Sequence, residues 1–117
     1  MTTQYARLDT DINCQLRRGA WYRVLRLASM EAVLDVARRE VAVPREYLQI
    51  RPNPPQHWTV VPLPSGALRV PPSWGHRYGV CPNCRARSAL VGRPPKLRCG
   101  RCNGLFDVAW EEAYLAG

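Results

Sequence analysis

At 117 residues the chain has room for one domain or two very small ones. No apolar run approaches the roughly 18 residues of a membrane-spanning helix, so a helical membrane protein is not expected. The net charge of +8 is carried unevenly: residues 1–46 hold eight basic and six acidic side chains, and residues 47–106 hold nine basic and none acidic. The tail returns three acids, Asp107, Glu111 and Glu112. A GC-rich genome accounts for sixteen arginines against one lysine, but not for acids that avoid sixty consecutive positions. That footprint points to a polyanionic partner, a nucleic acid or a ribonucleoprotein.

In chain order, Ile12-Asn13-Cys14-Gln15-Leu16 alternates apolar and polar residues. The alternation predicts a strand with Ile12, Cys14 and Leu16 on its inner face. Cys14 is then a small buried hydrophobe rather than a ligand. Arg17-Arg18-Gly19 reads as a turn. Trp21, Tyr22 and Val24 favour a second strand over residues 20–27, with Arg23 and Arg26 exposed. Residues 29–40 admit two readings. Ser29 caps a helix whose face carries Met30, Val33, Leu34 and Ala37, or Ala32, Leu34 and Val36 point inward from a strand. In the second reading a turn near Arg38-Arg39 leads to Val41-Ala42-Val43. Local periodicity favours the helix.

Seven prolines between Arg51 and Pro72 rule out helix and central strands there. Trp58–Val61 and Ala67–Val70 flank Pro64-Ser65-Gly66, which reads as a turn. An edge hairpin within a semi-rigid connector is expected, with Trp58 and Trp74 packing the two halves together. After Asp107, residues 109–115 suit one short helical turn.

The strongest pattern is Cys81-Pro82-Asn83-Cys84, followed after a fourteen-residue interval by Cys99-Gly100-Arg101-Cys102. Two such pairs at this separation point to a four-cysteine zinc site, because two tight turns can each present two thiolates to one tetrahedral ion. Met1–Asp9 lacks the apolar core of a signal peptide, so a reducing, cytoplasmic setting is expected and disulfides are not. A redox dithiol would need one pair in a βαβ context, and a redox switch would need labile zinc. With four thiolates the site is closed, so the single Zn²⁺ is expected to be structural.

Residues from about Tyr78 to Trp110 resemble a zinc ribbon, with Tyr78-Gly79-Val80 entering the first knuckle and Leu105–Val108 leaving the second. Many ribbons place glycine directly after each knuckle. Here Arg85 and Asn103 stand there, which predicts a slightly more open first knuckle. The stretch also carries Arg85, Arg87, Arg93, Lys96, Arg98 and Arg101, six candidate phosphate-binding cations whose guanidinium groups (lysine apart) suit bidentate contacts. Among the interleaved aromatics, Trp74, Tyr78 and Phe106 either stack on a base or belong to the core.

The order of residues 20–50, ending in Val43-Pro44-x-x-Tyr47-Leu48, is similar to SH3-like small barrels, in which such a stretch joins a strand to a 3₁₀ turn before the last strand. The resemblance implies an all-β binding domain over roughly residues 12–51 and selects the strand reading of residues 29–40. The chain lacks the acidic loops usual in SH3 domains that bind proline-rich peptides.

The expected fold is therefore mainly β. An SH3-like barrel (1–51) is followed by a proline-rich connector with an edge hairpin (52–76) and a Cys₄ zinc ribbon with a short tail (77–117). No nucleophile motif, phosphate loop or carboxylate pair suggests an enzyme. The expected function is nucleic-acid binding, as in an accessory factor of the ribosome or RNA polymerase, by fold-level analogy. The alternative is a protein-interaction adaptor with a purely structural zinc site, its groove formed around Trp21, Tyr22 and Tyr47.

Overall fold

The computed structural model describes residues 3–10, 12, 14–62, 72–112 and 114–115. Strands hold 46% of the described residues and no α-helix occurs among them, so the class is mainly β. Among the described residues no helix is long and apolar enough to cross a membrane. The chain divides into two compact units, Met1–Pro55 and Gln56–Gly117.

The first unit contains β1 (Tyr5–Leu8), β2 (Tyr22–Leu27), β3 (Glu31–Val36), β4 (Arg39–Pro44) and β5 (Leu48–Arg51). They form one antiparallel sheet in the order β4-β3-β2-β1-β5, with a 3₁₀ turn at Arg45–Tyr47 between β4 and β5. The turn before the last strand falls where the small-barrel resemblance placed it. Residues 31–36 are a strand, not a helix, and the burial shows why. Ala32 and Leu34 are buried while Glu31 is exposed and Val33 half-buried, a period of two that a helix would scramble. The β3–β4 connection is a two-residue turn at Ala37 and Arg38, both at positive φ (52° and 68°). Such a turn matches the twist of the strands it joins, and the Arg38 N–H donating to Asp35 Oδ1 (3.0 Å) holds it without glycine.

Two expectations fail here. The first strand is Tyr5–Leu8 rather than 12–16; residues 14–16 bend within the β1–β2 connection, Leu16 alone is buried and Cys14 is exposed. Residue 13 lies outside the described residues. Sequence reasoning missed β1, in which Arg7 is 2% exposed between buried Ala6 and Leu8 although the residue types alternate. Its Nε donates to Gln49 Oε1 (2.9 Å), and its guanidinium lies 4.6 Å from the Trp21 ring centroid. These contacts make burial of a cationic side chain tolerable.

The second unit comprises β6 (His57–Pro62), a 3₁₀ turn at Pro72–Trp74, β7 (Arg77–Val80), β8 (Arg87–Ala89), β9 (Lys96–Arg98) and β10 (Leu105–Val108). The sheet order is β8-β7-β6-β10-β9, so β6 is its central strand rather than one arm of an edge hairpin. It pairs antiparallel with β7 and parallel with β10. The expected partner arm, Ala67–Val70, and the turn at Pro64-Ser65-Gly66 lie outside the described residues. Proline stays at the margin of β6: Pro62 is its last residue, where a missing N–H is least costly.

Trp58, at the centre of this sheet, is fully buried within the second unit's own core, with Leu90, Val108, Cys81 and Cys99. Its indole N–H donates to the Leu97 carbonyl (2.8 Å), which fixes β9 against β6 across the intervening strand. Gly79 lies directly against it. A Cβ there would sit 3.1 Å from both Trp58 and Leu90, so the small residue permits this packing. The expected helical turn after β10 is replaced by successive tight turns, in which Glu112 N–H reaches Ala109 O and Tyr114 N–H reaches Glu112 O.

Candidate metal centre

β7 delivers Cys81 at its end, and the chain turns through Cys84 into β8; β9 delivers Cys99 in the same way, and the chain turns through Cys102 into β10. All four sulfurs therefore collect at one end of the sheet. Their Sγ atoms lie within 4.8 Å of one another, with Cys81–Cys102 at 3.7 Å and Cys84–Cys99 at 3.5 Å. Four sulfurs about 2.3 Å from one centre stand about 3.8 Å apart at the corners of a tetrahedron. A disulfide would require about 2.05 Å. The cluster is a single structural metal site whose donor set suits one Zn²⁺.

Both knuckles are built alike. In the first, Arg85 N–H donates to Cys81 O (3.1 Å) and Cys81 N–H to Ala86 O (2.9 Å); in the second, Asn103 N–H donates to Cys99 O (2.9 Å) and Cys99 N–H to Gly104 O (2.8 Å). Arg85 (φ 66°) and Asn103 (φ 63°) both adopt the left-handed conformation that glycine would take more readily. Both knuckles close with the same pair of hydrogen bonds, each slightly longer in the first, and these bonds hold Arg85 in place. Backbone N–H groups also aim at the sulfurs: Asn83 at Cys81 (3.4 Å), and Arg101 and Cys102 at Cys99 (3.4 and 3.5 Å). Such donors favour the thiolate that a metal requires.

The apo electrostatics show why a cation belongs here. Burial pushes the Cys81 thiol up to about 12 and raises that of Cys84 as well. Cys102 is held down to about 6, chiefly by the Asn83 side chain and then by the Gly104 backbone. At neutral pH Cys81 and Cys84 are thus protonated without metal and must both lose a proton to bind it. Acid opposes that loss, so zinc affinity falls as pH falls. With at least two protons released, log K should drop by about two or more for each pH unit below neutrality. Competition against a chelator of known pH dependence checks this; a flat profile contradicts it.

The six candidate cations separate into two groups. Arg85 and Arg101 sit in or beside the knuckles, Arg87 starts β8 opposite Val80, and Arg98 ends β9 opposite Leu105, so these four occupy the metal-bearing end. Arg98 also donates to Asn103 O (2.9 Å), and Arg87 lies 5.6 Å from the Tyr78 ring with its buried Nε unpartnered among the described residues. Lys96 begins β9 at the far end of the strand and pairs with Asp107 (3.3 Å); Arg93 lies beyond it, 5.0 Å from the Trp110 ring. Of the expected stacking aromatics, Tyr78 is buried and Trp74 and Phe106 are half-buried. Sequence reasoning missed Arg77, whose guanidinium also lies 4.6 Å from Trp110. The acidic neighbours Glu111 and Glu112 masked that tryptophan's association with two cations.

No protein-family model, curated protein or solved structure matches this chain.

Proposed function

We propose that this protein is a non-enzymatic, cytoplasmic nucleic-acid-binding factor, acting on RNA, DNA or a nucleic-acid machine such as the ribosome or RNA polymerase. The zinc-ribbon-like second unit makes the contact and the SH3-like first unit serves as an auxiliary binding module. One observation carries the reading: Arg85, Arg87, Arg98 and Arg101 gather at the metal-bearing end, where residues 81–87 and 98–105 contain no carboxylate. Zinc holds the backbone beneath them, so their positions are set before a ligand arrives.

Fluorescence anisotropy with labelled oligonucleotides tests it. With four cations engaged, log K against log[salt] should slope at about −3 to −4. Combining Arg85→Gly, Arg87→Ala and Arg98→Ala should flatten the slope to about −1 and weaken all sequences alike, because phosphate contacts do not read bases. Arg85→Gly removes a cation while relieving about 1 kcal/mol of left-handed strain. Retained zinc and undiminished stability in the triple variant would show that lost binding is not lost folding.

One observation favours the adaptor as the second reading. A groove of about 400 Å³ in the first unit is lined by Ile12, Val41, Val43, Pro44 and Tyr47, among others. Trp21 and Tyr22 are buried and contribute no exposed surface to it. Failure to bind any nucleic acid or ribonucleoprotein at low salt would favour that reading.

A further inference from the structure

At the end of the second sheet opposite the cysteines, three side chains that no motif connects come together. The guanidinium of Arg77, at the start of β7, lies 4.6 Å from the centroid of Trp110, and that of Arg93, from the β8–β9 connection, lies 5.0 Å from it. The group is fixed in place. The Trp110 indole N–H donates to Pro94 O (2.7 Å) and Arg77 Nη2 donates to Gly92 O (3.3 Å). Gly92 turns at φ 70°, and Pro94-Pro95 stiffens the chain that follows. Both arginines are exposed, and neither makes an ion pair among the described residues. Val91, beside them in the sequence, is 86% exposed.

We infer that Arg77, Arg93 and Trp110 form a stacking platform for unpaired bases, so that the ligand of the second unit is single-stranded nucleic acid. The inference rests on the nucleic-acid reading above and narrows it. A guanidinium held against an indole loses rotational freedom before binding, and its planar outer face remains open to a second aromatic system. The edge N–H groups of Arg93, and those of Arg77 not given to Gly92 O, stay available to a phosphate. Bases in a duplex are stacked on one another and offer no free face, whereas an unpaired base does. The apolar Val91 suits the same base surface and gains nothing from phosphate.

The test compares a short single-stranded RNA with a duplex of equal length by fluorescence anisotropy, using the zinc-loaded full chain. Arg77→Lys combined with Arg93→Lys keeps both charges and removes both planes. The platform predicts about a tenfold loss for the single strand, with duplex affinity and salt slope unchanged. The single Arg93→Lys variant alters only an exposed loop side chain and guards against misfolding; it should lose about threefold on the single strand alone. Unchanged single-strand affinity, or an equal loss on both ligands, would overturn the platform while leaving the nucleic-acid reading intact. Wild-type protein that binds neither ligand would overturn both.

Discussion

Cys99→Ser should abolish zinc binding and unfold the second unit. Cys99 is buried, accepts two backbone N–H···S contacts and lies 3.5 Å from Cys84, so its loss opens the tetrahedron from within the core. A unit of about sixty residues, some outside regular strands, buries too little apolar surface to be secure alone. Structural zinc contributes on the order of 10–16 kcal/mol in comparably small fingers, more than such a core can replace. Zinc analysis and amide spectra of the variant check both parts. Cys14→Ala is the control. Because Cys14 is exposed, the change should stay within about 0.5 kcal/mol of wild type rather than show the cost of a core truncation. A Cys99→Ser protein that keeps one zinc and a folded second unit would refute the assignment.

The next largest effect should come from Trp58→Ala, at about 3–5 kcal/mol of stability in the zinc-loaded protein. Trp58 is fully buried on the central strand, touches the metal-bearing end through Cys81 and Cys99, and ties Leu97 to it by its indole N–H. Trp58→Phe keeps most of the ring but leaves the Leu97 carbonyl without that donor, a cost of about 1–3 kcal/mol. Chemical denaturation followed by far-ultraviolet circular dichroism measures both. Equal stability of the alanine variant and wild type would show that the second unit's core lies elsewhere.

The metal centre was legible in the sequence because ligation by a knuckle is local. Cys81 and Cys84, or Cys99 and Cys102, are joined by one turn, and only the meeting of the two turns is long-range. The strand at residues 31–36 was legible only through its surroundings, since Met30, Val33, Leu34 and Ala37 also satisfy a helical period. Long-range pairing with β2 and β4 decides the matter. β6 was misplaced for a related reason. Its parallel pairing to β10 joins His57 to Asp107 across fifty positions, and no local signal announces such a partner. Neighbouring prolines suggested an edge, yet they flank the strand rather than interrupt it. Cys14 followed an alternation that was genuine in the sequence but fell in a loop, and β1 was missed although its residue types alternate around Arg7, which is buried and cationic at once. The six cations were all visible, but their division between the two ends of the sheet required the register of β8 and β9.

The account turns on one metal ion organising the second unit, and the mass of the intact chain under non-denaturing, reducing conditions tests that most directly. It predicts a single species heavier than the bare chain by one zinc, less the protons displaced from the four cysteines. A metal-free chain of full protonated mass, or one lighter by the hydrogens lost to disulfides among Cys81, Cys84, Cys99 and Cys102, would contradict it.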